Sequence, residues 1–308
     1  MEINELTSKE YKSIFSQPYH IFNTADFNEL NSYKCNKVIY LMFKDEKPQL
    51  GLILGQNDNS VCSPFSAPFG GFSFINERIQ HQHIDTALEL LDKYLISKSI
   101  ESIKIAVPPL FYNNLFLPKF INSLSRDDYN LYSVELNYDF NTEKFDQNYE
   151  NNLHRNAKKN LKTSFKHNLI FEKTTDLKAA YDVIAINRTT KGFPLRMTFE
   201  QMKETSELVP IDNFLIKYEN ILIAAAIVFH VAPGIVQVIY WGDVPDYSSM
   251  RTMNFLSYKI FEYYKSTGIK NVDIGPSTKN GVPNFGLCEF KESIGCDLKM
   301  KLVFEKQF

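Results

Sequence analysis

Residues 221–241 read ILIAAAIVFHVAPGIVQVIYW, and the fold is decided there. Ile221–Phe229 is an apolar run of nine residues, far short of a membrane span. Pro233-Gly234 supplies a turn, and Ile235–Trp241 is a further strand, so the spacing predicts an antiparallel hairpin. Before it, Phe214–Lys217 is a shorter strand, and Ile221–Val231 pairs with it across a tight turn. After it come a helix, Met253–Tyr264, and a strand ending in proline, Asn271–Pro276 (NVDIGP). The first half repeats this order at an offset of about 170 residues. Val38–Lys44 and Leu50–Leu54 are the strand pair, Ile84–Ser97 is the helix and Ile103–Pro108 is the strand ending in proline. Ile84, Ala87, Leu88, Leu90, Leu91, Tyr94 and Leu95 form a stripe at helical spacing on that helix.

The chain has 308 residues, enough for two ordinary domains, and the repeat divides it. The polar stretch Asn141–Tyr149 marks the boundary, giving domains 1–145 and 146–308. Thirty-four basic residues face 36 acidic ones, which argues against broad nucleic-acid binding, DNA included. Cys35, Cys62, Cys288 and Cys296 are scattered and form no CxxC pair, so neither a zinc knuckle nor a disulfide scaffold is indicated. The start, MEINELTSKE, has no signal-peptide pattern, and a soluble cytoplasmic protein is expected, as a monomer or dimer. Ser63–Phe74 (SPFSAPFGGFSF) is a loop whose phenylalanines either pack or line a cleft. Leu153–Asn168 (LHRNAKKNLKTSFKHN) is a basic helix, either a solvated surface or a wall for a phosphate-bearing substrate.

Thr189–Arg196 (TTKGFPLR) is the most compact candidate for chemistry. Lys191 and Arg196 flank a Gly-Phe-Pro turn, and Arg188 lies just before it. Three cations beside a rigid turn suit a phosphate or carboxylate, although charge pairing at a helix C-terminus accounts for them as well. Tyr240, the single tryptophan Trp241, Gly242 and Asp243 end a strand. Asp243 is a candidate base for an ammonium, or a turn cap. Asp273, if buried, needs a partner such as Lys or Arg. Lys279 lies at the tip of a turn in STKNG. Lys291 either neutralises a phosphate or developing oxyanion, or is simply exposed. There is no Gly-x-Gly-x-x-Gly or P-loop sequence, and His81 and His83 find no carboxylate to complete a metal set, so metal-free chemistry is expected.

Strand, helix, three antiparallel strands, helix, strand and final strand is the order of an acetyltransferase-type domain. The fold class expected is α/β (α+β): two tandem GNAT-like domains, mostly antiparallel sheets flanked by helices, the first degenerate. From Leu153 to Phe304 the chain resembles the FemABX-like peptidyltransferases. The resemblance is carried by the basic helix and following strand, KGFPLR, VIYWGD, MNFLSYKIFEYYKSTGIKNVDIGP and CEFKESIG. It departs at Ile274 and Pro276, where Phe and a second Gly are usual, and at Ile294, where Phe is usual. There is no room between Phe199 and Leu215 for a helical arm, and Asp243–Met253 lacks the glycines of a coenzyme A turn.

The resemblance implies transfer of an acyl or aminoacyl group to an amine of a sugar, amino acid or cell-envelope precursor, without a covalent intermediate. It assigns Lys291 to the reaction centre or acceptor diphosphate, and Arg188 and Arg196 to precursor phosphates. The expected catalytic set is Asp243, Lys291 and Tyr240; the expected substrate contacts are Arg188, Lys191, Arg196, Trp241 and Lys279. No tightly bound cofactor is expected. Acyl-CoA and aminoacyl-tRNA both stay open as donors, with tRNA the less favoured. The competing reading is a non-catalytic binding or scaffold protein that keeps the fold.

Overall fold

The computed structural model describes residues 1–193 and 195–308. The elements run β1 (Glu2–Leu6), α1 (Ser8–Ile14), α2 (Ala25–Leu30), β2 (Lys37–Lys44), β3 (Pro48–Asn57), β4 (Ser60–Ser63), β5 (Ser73–Phe74), α3 (His81–Ser97), β6 (Ser102–Ala106), α4 (Leu117–Arg126) and β7 (Asn130–Asn141). They continue with α5 (Tyr149–Asn152), α6 (Arg155–Ser164), β8 (Ile170–Thr174), α7 (Leu177–Thr190), α8 (Phe199–Leu208), β9 (Ile211–Tyr218), β10 (Ile221–Ala232) and β11 (Ile235–Asp243). The chain closes with α9 (Thr252–Thr267), β12 (Asn271–Pro276), β13 (Thr278–Lys279), β14 (Val282–Pro283), α10 (Phe285–Ser293) and β15 (Asp297–Gln307).

Two compact units form. The first comprises Met1–Leu136, Asn280–Val282 and Met300–Phe308; the second comprises Asn137–Lys279 and Pro283–Lys299. The division therefore falls earlier than the polar stretch at 141–149. Asn137–Asn141 of β7 pair with β12 and so belong to the second sheet.

The two units repeat one topology. In the first, β1-β2-β3-β4-β6 are neighbours, antiparallel except for β4 and β6. In the second, β8-β9-β10-β11-β12 are neighbours, antiparallel except for β11 and β12. Each sheet gains one more antiparallel strand from the opposite half of the sequence. Val303–Gln307 of β15 pair with β6, and β7 pairs with β12. This is a tandem GNAT-like fold of mostly antiparallel sheets flanked by helices.

Local chemistry explains the elements. Ile223–Val228 of β10 is fully buried, as expected for a central strand covered on both faces. The hairpin to β11 turns at Gly234 (φ +72°). Thr198 and Gln201 make a capping box at α8, and Asp176 accepts from the Ala179 amide at α7. Gly268, at φ +79°, ends α9. Phe140 stacks on Phe261 at 3.8 Å to lock α9 onto its sheet.

The phenylalanine loop of the first unit packs. Phe69 and Phe72 are buried against Tyr112, Phe43 and Phe120. Gly70 donates its amide to the Ala106 carbonyl at 2.9 Å, and Gly71 donates to Ser63 Oγ at 3.0 Å. The loop thus fills the space where β4 ends beside β6.

Candidate active site

β11 and β12 pair in parallel at three positions only, Ile235–Asn271, Val236–Val272 and Gln237–Asp273. Beyond them the ladder ends, with β11 running on to Asp243 and β12 to Pro276. Irregularities on both strands mark the opening. Between Ile227 and Val228 the β10–β11 register slips, leaving Ile239 as an extra residue and re-aiming Tyr240 and Trp241. On β12, Ile274 is skipped in the pairing with β7, and Gly275 takes φ +74°, which favours glycine. Ile239, Tyr240 and Trp241 are half-buried, unlike the residues before them on β11.

Lys291, on α10, is 2% exposed. Its ammonium donates to the carbonyls of Ile274 (3.1 Å), Gly275 (2.8 Å) and Pro276 (3.2 Å). It takes the place of the missing neighbour strand at the end of β12. Burial pulls its pKa down to about 8, partly opposed by Cys296, Asp273 and Cys288. The exposed-lysine alternative is thereby corrected.

Arg188, in the last turn of α7, lies over the Tyr240 ring with the guanidinium 6.0 Å from its centroid. Its Nε is buried without a hydrogen-bond partner. Burial lowers its pKa, Tyr240 opposes this, and Arg196 adds to the lowering. Burial raises the Tyr240 pKa, and the backbone hydrogen bonds its hydroxyl receives from Met197 and Arg196 oppose this only in part. Arg188, Arg196 and Met197 thus converge on Tyr240. Pro194, the last residue of the expected Gly-Phe-Pro turn, lies outside the described residues. Among the described residues no carboxylate comes within ion-pair distance of Arg188, Arg196 or Lys291.

Asp243 is 8% exposed. Its Oδ1 accepts from Asn187 Nδ2 at 3.2 Å and its Oδ2 from Thr252 Oγ1 at 2.8 Å. Asn187 Nδ2 also donates to the Asp243 carbonyl at 2.6 Å. Asp243 therefore ties the end of β11 to α7 and to the start of α9. Gly242 permits this contact, because a Cβ there would lie 2.7 Å from Asn187 Cγ. Asp273 is fully buried, amide donors are described on both of its oxygens, and the charge of Lys291 acts on it as well. Asn137 (2.9 Å) and the Gly275 amide (2.8 Å) bind Oδ1, and Gln237 (2.7 Å) binds Oδ2. Trp241 meets Phe290 edge-on at 6.0 Å. Phe290 also lines a cavity of about 480 Å³ with Arg155, Asn156, Asn160, Asn254 and Glu289.

Arg188, Arg196, Tyr240 and Lys291 are linked by these contacts and mutual fields, with Trp241 beside them. Lys191 is an exposed C-cap of α7 and Lys279 is exposed on β13; neither has a described contact with the others. Asn187, Thr252 and Gly275 were not singled out from the sequence. Only Gly275 left a signal there, as a glycine closing a strand.

No family model matches the sequence, and no curated protein matches it. Solved structures do match the fold. FemX aligns with a TM-score of 0.71 at 12% identity, over 100% of this chain and 98% of FemX. L-PGS from Bacillus licheniformis aligns at 0.62 and 10% identity, over 98% and 92%. A tandem GNAT protein from the clavulanic acid biosynthesis pathway aligns at 0.58 and 8% identity, over 99% and 98%. The chain thus has the tandem GNAT-like fold of FemX across its full length.

Proposed function

We propose that this protein is an N-acyltransferase and that the opening between β11 and β12 is where the acyl donor and the amine meet. The observation that carries this is the ladder that ends after Gln237 and Asp273 beside cations lacking acidic partners. Arg188 and Arg196 hold a phosphate or carboxylate of one substrate, and the buried Lys291 adds a fixed positive charge behind them. The amine nitrogen attacks the acyl carbon, a C–N bond forms and the C–S or C–O bond to the leaving group breaks. Tyr240, whose hydroxyl oxygen is already held by backbone amides, donates its proton to the leaving group and is reprotonated at the expense of the ammonium formed. Asp243 positions Tyr240 and Trp241 by anchoring the end of β11, and Lys191 and Lys279 serve as outer contacts for an anionic substrate. The similarity to FemX and to a tandem GNAT protein supports this reading, with the donor an acyl-CoA thioester or an aminoacyl-tRNA ester and the acceptor a sugar, amino acid or cell-envelope precursor.

The engagement of both Asp243 oxygens favours a second reading, a protein that binds such a ligand without turning it over. Incubation with acyl-CoAs and charged tRNAs, alongside amine acceptors, separates the two. An acylated amine seen by mass spectrometry, and lost in Tyr240→Phe, supports transfer. A saturably bound but unchanged ligand supports the second reading.

A further inference from the structure

We propose that the outward face of α6 docks this protein onto an anionic lipid surface. Between Glu150 and Glu172 the chain carries Arg155, Lys158, Lys159, Lys162 and Lys166 and not one carboxylate, although acidic residues outnumber basic ones overall. Arg155, Lys159 and Lys162 recur at helical spacing on α6 and share one face, and Lys166 follows in the turn after Ser164. All four are exposed, and among the described residues none has a carboxylate partner. The opposite face, Ala157, Leu161 and Ser164, is buried. The helix is therefore fixed with its charge outward, and its apolar side is not free to insert.

The chemistry of this face selects the partner. Three of its four cations are lysines, compact charges that demand no fixed partner geometry; a surface built to bind single-stranded nucleic acid adds an aromatic platform for the bases. Phe165, 45% exposed, immediately precedes Lys166 in the chain, and Ile170, 59% exposed, opens β8 four residues further on. Phe165 leans edge-on against Phe255 and Tyr258 rather than presenting a stacking face. Apolar side chains beside a lysine stripe suit the boundary between lipid headgroups and acyl chains. Each lysine held near an anionic membrane strengthens association about fivefold, so removing three weakens it about a hundredfold.

Co-sedimentation tests this with vesicles of phosphatidylcholine alone and of phosphatidylcholine doped with phosphatidylglycerol, at low and high salt. The full chain is expected to pellet with the anionic vesicles at low salt, to be released by high salt and to ignore the neutral ones. The variant Lys159→Gln/Lys162→Gln/Lys166→Gln is expected to lose binding about a hundredfold with an unchanged thermal melt. If that variant misfolds, the single exchange Lys162→Glu is read in the same way. The proposal is overturned if the wild type ignores anionic vesicles at low salt, if the folded variant still binds them, or if the face retains a tRNA probe in a gel-shift assay while ignoring vesicles.

Discussion

Lys291 spends its three N–H donors on main-chain carbonyls, so it acts as a fixed positive charge and as the closing bond of β12. Both roles are lost together in Lys291→Met, which leaves three carbonyls short of a donor. Chemical denaturation is expected to give a loss of about 3 kcal/mol. The pH dependence has two opposite signs. The folded pKa is lowered to about 8 from 10.5, so the folded state binds fewer protons between those values. The stability penalty of the buried charge is full below about pH 8 and is relieved as the pH rises toward 10.5. Affinity for an anion goes the other way, weakening above about pH 8 as the charge is lost. The sequence exposed Lys291 as a functional candidate but not as a structural one, because its partners are carbonyls that any residue would supply.

At the scale of elements, the end of β11 depends on a close approach between Gly242 and Asn187. Gly242→Ala puts its Cβ against Cβ and Cγ of Asn187, so the contact to Asp243 has to open. We expect a loss of about 2 kcal/mol in thermal melts, with a blue or red shift in Trp241 emission. On β7, burial pushes the Asp139 carboxyl up to about 6, only partly offset by Asn271 and Lys299. The folded state therefore binds more protons between about pH 4 and 6. This contribution is present below about pH 4 and is lost by pH 6, after which the buried charge costs about 3 kcal/mol. Asp139→Asn is expected to be more stable than the wild type at neutral pH and to converge with it near pH 4; parallel melting curves across that range would contradict this. Strand β12 was legible to the residue, because the apolar alternation and the proline that ends it are local. The bulges at Ile239 and Ile274 were not, because a register slip is set by what lies across the sheet.

At the scale of the molecule, the repeat was legible because it is a sequence period. The exchange of final strands was not, since β7 and β15 carry similar alternating patterns and nothing local says which sheet each joins. The exchange has a consequence for the first unit. Val303–Gln307 cover the edge of β6, and Phe304 is 3% exposed. Deleting residues 300–308 is expected to unfold the first unit cooperatively, seen as rapid amide exchange throughout β2, β3 and β6. Exchange confined to the new edge would show instead that the strand is dispensable. The repeat also sharpens the assignment of the site. The first unit fills its counterpart space with Gly70 and the buried Phe69 and Phe72, whereas the second leaves Tyr240 and Trp241 half-exposed beside Arg188.

Trp241 is the single tryptophan, so its emission reports on the proposed site alone. The most direct test is a fluorescence titration of the wild type and Arg188→Gln with inorganic pyrophosphate at neutral pH. The account predicts a saturable change for the wild type, weakened tenfold to about a hundredfold in the variant by loss of a charge-assisted pair. An unchanged emission, or a variant that binds as tightly as the wild type, would contradict it.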